Sequence, residues 1–115
     1  SARWAEKYGN FEKAGSKIIK LVNKKNKNKK MKNKKAKFVC SLTIWFDKTK
    51  KITTIGVVEG KISNKLSGKR GFGYDPIFIP RGSSITFGQM KKKKKILMDH
   101  RFQAFKKLKQ KINIL

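Results

Sequence analysis

The residues best suited to chemistry lie in Gly71–Pro80, which reads Gly-Phe-Gly-Tyr-Asp-Pro-Ile-Phe-Ile-Pro. Glycine lets a backbone approach a ligand closely or take positive φ, whereas Pro76 fixes its own φ and pushes Asp75 towards an extended conformation. We expect this loop to hold the ring of Phe72 and the carboxylate of Asp75 rigidly at the mouth of a strand. Such a loop suits a flat heterocycle, which the ring would stack on and the carboxylate would bind at its edge. The alternative is a glycine-rich turn with two packing aromatic residues.

A second group of polar residues stands at the predicted start of the last helix. Asp99 is expected to cap a helix from His100 to about Ile112. His100 and Arg101 fall in its first turn, where the helix dipole favours anions and opposes a cation. The position indicates a binding role for Arg101, while His100 is equally explained as an ordinary residue of a capping turn. The preceding run Lys91–Lys95 normally forms a solvated surface.

The composition of the chain indicates which classes of partner it can attract. The chain has 115 residues, one domain or part of one, with 32 basic against six acidic residues and a formal net charge of +26. That charge attracts nucleic acid, anionic membranes and nucleotide phosphates. Nearly all the basic residues are lysine, whereas base-reading contacts favour arginine. A lysine bias of the coding sequence therefore explains the charge better than a dedicated nucleic-acid surface, although incidental nucleic-acid binding is expected either way.

Cysteine and histidine are scarce. The single Cys40 excludes an internal disulfide and a cysteine metal cluster, and the single His100 excludes a histidine metal site. We interpret Cys40 as a small buried hydrophobic residue rather than a nucleophile. No apolar run approaches the roughly 20 residues that span a bilayer, and no signal-peptide core is seen. We expect a reduced, cytoplasmic compartment and no membrane partner.

The first half of the chain predicts a helix and a lysine-rich segment. Asn10 suits the N-cap of a helix over Phe11–Asn23. Its apolar stripe at helical spacing comprises Phe11, Ala14, Ile18, Leu21 and Val22. Residues 24–37 are almost entirely Lys and Asn, and like charges at this density indicate a solvated insert, as a loop or a frayed helix end. A phosphate-binding or RNA-binding arm is the alternative.

A hairpin and two short elements follow. Phe38–Phe46 alternates as a strand does, and Trp45 on its second face suggests that both faces are covered. Residues 47–51 make the turn into a second strand over Ile52–Ile62, where Gly56 and Gly60 mark bulges or close approaches. Thr86 can cap a short helix. The final helix carries a stripe of Phe102, Phe105, Leu108 and Ile112.

Four motifs in one order carry a family resemblance: Ser1-Ala-Arg-Trp4, Gly71-Phe-Gly-Tyr-Asp-Pro-Ile-Phe78, Thr86-x-x-Gln-Met90 and Lys95-x-x-x-Asp-His-Arg101. Over essentially the whole chain, the sequence resembles the C-terminal portion of the inosine/xanthosine triphosphate pyrophosphatase family. These enzymes hydrolyse non-standard purine nucleoside triphosphates, such as ITP, dITP and XTP, to the monophosphate and pyrophosphate. The resemblance implies residues 1–115 as part of a single two-lobed α/β domain, with a long central mixed sheet flanked by helices.

The resemblance also implies site residues, a metal and a partner. It assigns base binding to Phe72, Gly73, Tyr74 and Asp75, with Phe72 stacking on the base, and nucleotide contacts to Lys95, His100 and Arg101. It implies Mg²⁺, whose ligands are expected in an N-terminal part, and a homodimer when complete. Mispaired buried polar groups cost about 1–3 kcal/mol each, so donors aimed at the 6-oxo group of hypoxanthine or xanthine would disfavour adenine.

The chain departs from the family pattern. The family's Thr/Ser-Gly-Asn phosphate loop, its metal-binding glutamate and its catalytic Asp-Asp-Ser-Gly segment do not occur in the sequence. No residue is therefore assigned as catalytic or as a metal ligand, and we expect a fragment or truncated product that is inactive alone and prone to aggregation through exposed strand edges. Asp99 stands where serine is usual, and Gln89 where glutamate is common.

Two other functions compete with the enzyme. A basic RNA- or nucleotide-binding module without catalysis would lose affinity steeply with salt and show little base preference, whereas the enzyme pocket would prefer ITP or XTP over ATP. A third alternative is a ribosome-associated structural protein. The four motifs, which occur in the same order as in the pyrophosphatase family, argue against it.

Overall fold

The chain folds into both helices and strands. The structure is a computed structural model that describes residues 2–114, the last of them by its backbone alone. In chain order the elements are α1 (Ala2–Tyr8), α2 (Phe11–Asn26), β1 (Lys35–Trp45), β2 (Lys51–Ile62), β3 (Phe78–Pro80), α3 (Lys92–Ile96) and α4 (His100–Ile114). The three strands form one sheet in the order β1-β2-β3. The predicted α/β class is confirmed. Ser1 of the first motif lies outside the described residues.

The chain divides into two compact units. The first unit comprises the described residues up to Ala36 together with Gly60–Lys92, and the second comprises Lys37–Glu59 together with the described residues from Lys93 onwards. No helix in the described part of the chain is both long and apolar enough to cross a membrane.

The core of the first unit is built where β2 meets β3. The two strands are antiparallel, with Gly60 opposite Pro80 and Ile62 opposite Phe78. A Cβ on Gly60 would overlap the carbonyl of Ile79, which confirms the predicted close approach. The rings of Phe78 and Phe87 are fully buried and stack with their centroids 5.5 Å apart. Stacked aromatic rings at this distance add to the hydrophobic gain of burial.

Helix α2 starts as predicted. The side chain of Asn10 accepts a hydrogen bond of 2.8 Å from the backbone N–H of Lys13, so the N-cap is confirmed. The buried face, however, is centred on Gly15 and Ile19, whereas Leu21 is 41% exposed, so the predicted stripe is wrong at Leu21. The reason lies in Gly15: a Cβ there would sit 3.3 Å from Ile77, and this close contact fixes which face of the helix turns inward.

The lysine-rich segment is more ordered than the sequence predicts. Helix α2 continues to Asn26, which is buried, and strand β1 already begins at Lys35. The loop or frayed helix end predicted over residues 24–37 is therefore limited to the residues between α2 and β1. Short turns bonded through Asn26 replace the expected fraying.

The second unit is centred on the β1–β2 hairpin. The backbone N–H of Phe46 donates to the carbonyl of Lys50 (2.9 Å), and the Asp47 carboxylate accepts hydrogen bonds from Thr49 and Lys50. These bonds, the backbone bond from Thr49 first, lower the pKa of Asp47. The predicted turn is confirmed, with Phe46 in the turn rather than the strand.

One face of the hairpin is exposed. Trp45 is 59% and Val39 52% exposed, while the alternate residues of β1, including Cys40, are half-buried. The prediction that both faces of β1 are covered is therefore wrong, and Cys40 is less buried than expected. Trp45 indicated a second buried face only because large aromatic side chains are usually buried.

Helix α4 packs on the hairpin through small residues. A Cβ on Gly56 would overlap the backbone of His100 and Ala104, so the close approach predicted at Gly56 is confirmed. The hydroxyl of Thr54 donates to the carbonyl of Ala104 at 2.7 Å. Because the helix backbone comes this close, the inward positions are Ala104 and Leu108, four residues apart. Phe105 is 56% and Ile112 36% exposed, and the predicted stripe is wrong at both residues.

Candidate functional site

The glycine-rich loop is a tight turn followed by a short 3-10 helix. Gly71 and Gly73 take φ of 73° and 63°, values that favour glycine. The N–H of Asp75 donates to the carbonyl of Phe72 (3.3 Å), and a second bond of 3.0 Å runs from Ile77 to Tyr74. Asp75 therefore lies in the 3-10 helix Asp75–Ile77, and its predicted extended conformation is wrong. These turn hydrogen bonds outweigh the bias that a following proline imposes.

The carboxylate of Asp75 holds the loop from inside. Asp75 is only 3% exposed, and its Oδ2 accepts a hydrogen bond of 3.0 Å from the backbone N–H of Phe72. A Cβ on Gly71 would overlap this same carboxylate. The ring of Phe72 is 59% exposed. A buried acceptor thus fixes the backbone of an aromatic residue whose ring is largely exposed.

The ring of Tyr74 packs against helix α2. It meets the ring of Phe11 edge-on, with the centroids 5.1 Å apart and an interplanar angle of 84°. Burial raises the pKa of the Tyr74 phenol. Both rings border a cavity of about 510 Å³ in the first unit, whose other lining residues include Leu66, Lys69 and Ile77.

Neighbouring loops support the glycine-rich turn. The N–H of Ser67 donates to the carbonyl of Pro76, and the carbonyl of Ser67 accepts a 2.6 Å bond from the hydroxyl of the buried Thr86. The N–H of Thr86 in turn donates to the side chain of Gln89 at 3.0 Å, so Thr86 stands at the predicted N-cap position, that of the 3-10 helix Phe87–Gln89. The amide oxygen of Gln89 fills the acceptor role that a glutamate has in a capping box.

The remaining predicted site residues lie in the second unit. Lys95 is only 6% exposed, so the solvated surface expected for Lys91–Lys95 is wrong at this residue. Its carbonyl accepts bonds of 3.0 Å from the N–H groups of Met98 and Asp99. The Asp99 side chain accepts a bond of 2.8 Å from the N–H of Phe102, which confirms the predicted cap of α4.

His100 and Arg101 begin helix α4. The His100 ring is half-buried and meets Phe38 edge-on at 5.2 Å, whereas Arg101 is exposed. The structure thus brings Phe72–Asp75 together in the first unit and Lys95, His100 and Arg101 together in the second. Within residues 2–114, no group of three or more His, Cys, Asp or Glu side chains could hold a metal ion.

Sequence reasoning missed two features of this region. Phe11 was assigned to the core stripe of α2, but it is 39% exposed and lies against Tyr74. No role is assigned to Gly68 from the sequence, but it takes a φ of 89°, and a Cβ there would overlap the backbone of Gly88. The glycine itself was the only signal in the sequence, because a close approach between two loops leaves no periodicity.

These features define a mixed α/β chain with a rigid aromatic loop and a capped, basic helix start. The sequence profile of the Ham1 family matches residues 1–111. The chain belongs to the Ham1 family, which confirms the family resemblance seen in the sequence.

Related proteins and structures agree with this assignment. A dITP/XTP pyrophosphatase of Clostridium tetani is 37% identical over 113 residues, covering 97% of this chain and 53% of the relative. One of Dictyoglomus thermophilum is 41% identical over 111 residues, covering 95% and 51%. The Staphylococcus aureus Ham1 protein superposes with a TM-score of 0.71 at 29% identity, covering 88% of this chain and 52% of that chain. The chain spans about half the length of the curated relatives it matches.

Proposed function

We propose that this chain is the base-recognition portion of a nucleoside triphosphate pyrophosphatase that acts on non-standard purine nucleotides such as ITP, dITP and XTP. The observation that carries the proposal is the loop at Phe72: a buried carboxylate and two positive-φ glycines fix an exposed aromatic ring. The similarity to proteins named dITP/XTP pyrophosphatases supports the substrate class.

In this proposal the residues have different roles. Phe72 stacks on the base, and Gly73 and Tyr74 shape the loop around it. Asp75 acts as a positioning residue, since its buried carboxylate accepts a hydrogen bond from the Phe72 backbone. Stacking on an aromatic side chain contributes about 1–3 kcal/mol per base and tolerates every base. The preference among purines must therefore come from hydrogen bonds.

We assign base selection and phosphate binding to the second cluster. The guanidinium of Arg101 donates to the 6-oxo group of hypoxanthine or xanthine. Adenine carries an amino group at that position, so the Arg101 donor would face another donor. Each such mismatch costs about 1–3 kcal/mol. Lys95 and His100 contact the nucleotide as well. The place of His100 in the first turn of α4 supports its assignment, since N–H groups at a helix start favour anions.

The chemistry of hydrolysis is not carried by this chain in our proposal. Mg²⁺ remains the expected metal of the complete enzyme, but the described side chains form no cluster that fits it. We expect the 115-residue chain to bind nucleotide without releasing pyrophosphate. A homodimer and a cytoplasmic location of the complete enzyme likewise remain predictions from the family resemblance.

The role of Arg101 provides the test. Replacing Arg101 with Gln should reduce the affinity for ITP by roughly tenfold and leave the affinity for ATP nearly unchanged, as expected for one lost hydrogen bond to a 6-oxo group. Lys109→Gln removes one exposed charge from the same helix and is the matched control. Equal losses for ITP and ATP in the Arg101 variant would assign Arg101 to the phosphates and remove it from base selection.

A further inference from the structure

A buried asparagine ends helix α2. Asn26 is 4% exposed, and its Nδ2 donates to the carbonyls of Val22 (2.8 Å) and Asn33 (2.9 Å). Its Oδ1 accepts a 2.8 Å bond from the N–H of Asn33. Burying a primary amide is costly unless its donors and acceptor are bonded. Here three bonds satisfy the amide, and two of them tie the helix end to residue 33.

The residues between these two asparagines form a closed loop, which we call the lysine loop (residues 27–32). The N–H of Lys29 donates to the carbonyl of Asn26 at 3.1 Å, and the ammonium group of Lys32 also donates to this carbonyl. A cation at the C-terminal end of a helix complements the helix dipole. Beyond the loop, the carbonyl of Lys34 accepts a 2.9 Å bond from Ile62. The loop is therefore fastened at both ends.

The lysine loop concentrates positive charge on an ordered backbone. Lys27, Lys29 and Lys30 are all exposed. The sequence places no acidic residue between Glu12 and Asp47, so no neighbour along the chain neutralises them. Like charges held this close repel one another, and the repulsion is relieved when a polyanion binds. Because the backbone is already fixed, binding costs less conformational entropy than ordering a flexible tail would.

We propose that the lysine loop binds the phosphate backbone of double-stranded nucleic acid, without regard to base sequence. Lysine ammonium groups are point charges that suit phosphates and lack the planar fork used to read bases. The loop contains no aromatic residue on which single-stranded bases could stack. An anionic membrane surface fits less well, because the loop offers only Met31 for insertion and no amphipathic helix. This activity is separate from the nucleotide site.

The test measures binding of a short labelled DNA duplex to the whole chain across a range of salt concentrations. Each phosphate contact contributes about 0.9 to the slope of log affinity against log salt. The triple change Lys27→Gln, Lys29→Gln and Lys30→Gln should lower the slope by about 2–3. A matched triple change at Lys106, Lys109 and Lys111, exposed residues of α4, removes the same charge and should leave the slope within about one of the original value.

The outcomes separate the possibilities. Equal loss of slope in the two triple variants would mean that binding follows net charge alone, and it would overturn the proposal, as would failure of the chain to bind the duplex. Binding to anionic lipid vesicles that exceeds duplex binding and depends on the same three lysines would replace nucleic acid by a membrane surface. ITP affinity should be the same in both variants, which keeps this test independent of the proposed enzyme site.

Asn26 supplies a second variant with no change in charge. Asn26→Ala keeps every lysine but removes the two side-chain bonds that tie the helix end to residue 33, so we expect duplex affinity to fall several-fold at moderate salt. Circular dichroism checks that the helices are retained. A folded Asn26→Ala chain with unchanged duplex affinity would contradict the claim that order in the loop matters.

Discussion

At the scale of single residues, Asp75 differs most from what its position in the sequence suggests. A carboxylate beside two aromatic residues indicates contact with a ligand, yet this one is buried and accepts a hydrogen bond from the backbone of Phe72. Sequence reasoning predicted an unusual backbone in this loop from its glycines and proline, and the positive φ of Gly71 and Gly73 agrees with that. It could not distinguish a carboxylate that touches a ligand from one that holds a turn, since both need the same residue type.

The exposed ring of Phe72 gives a prediction at this scale. Phe72→Ala should weaken binding of ITP by about 1–3 kcal/mol through the loss of base stacking. Because the ring is 59% exposed, the free energy of unfolding should change by less than about 0.5 kcal/mol. Phe105→Ala, at a ring 56% exposed on α4, is the matched control and should alter neither quantity. Titration calorimetry and urea unfolding measure the two effects; unchanged ITP affinity in the Phe72 variant would contradict the stacking role.

At the scale of elements, the sequence predicted where α2 and α4 begin better than which faces they bury. The caps at Asn10 and Asp99 were predictable because capping depends on a few adjacent residues. The buried faces of α2 and α4 were not, because Gly15 and Gly56 allow neighbours to approach and so decide which side chains turn inward. A hydrophobic stripe read from one element alone carries no information about such contacts.

The turn at Gly71 yields a prediction for an element. Gly71→Ala and Gly82→Ala both place a side chain at positive φ, 73° and 81°. That strain costs about 1–2 kcal/mol. At Gly82 a Cβ meets nothing within 4 Å, whereas at Gly71 it overlaps the Asp75 carboxylate. Gly71→Ala should therefore be the more destabilising change and should also weaken ITP binding. Equal unfolding free energies for the two variants would contradict a close contact between Gly71 and Asp75.

At the scale of the whole molecule, net charge and an exposed apolar sheet face oppose each other. Val39, Trp45, Ile55 and Val57 are each at least 40% exposed in the β1–β2 hairpin. The charge of +26 keeps copies of the chain apart. Whether copies of the chain associate therefore depends on the balance between this apolar face and the charge repulsion. The exposed face could not be predicted, because an alternating strand looks the same whether its second face is covered or open.

Salt should therefore induce self-association. Raising ionic strength from about 0.01 M to about 1 M shortens the Debye length from about 30 Å to about 3 Å and removes the repulsion. Light scattering should then show association, and Trp45→Thr should shift its onset to higher salt. Phe105→Thr removes an exposed aromatic side chain from α4 and is the control. A chain that stays monomeric throughout, or an equal effect of both changes, would contradict association through the hairpin face.

The central claim is that this chain recognises the base of a non-standard purine nucleotide. Titration calorimetry of the 115-residue chain with ITP, XTP and ATP under identical salt conditions tests it most directly. We predict that ITP and XTP bind at least roughly tenfold more tightly than ATP, the discrimination expected from one mismatched buried hydrogen bond. Equal affinities for the three nucleotides that fall together as salt is raised would show binding through phosphates alone and would contradict base recognition by this chain.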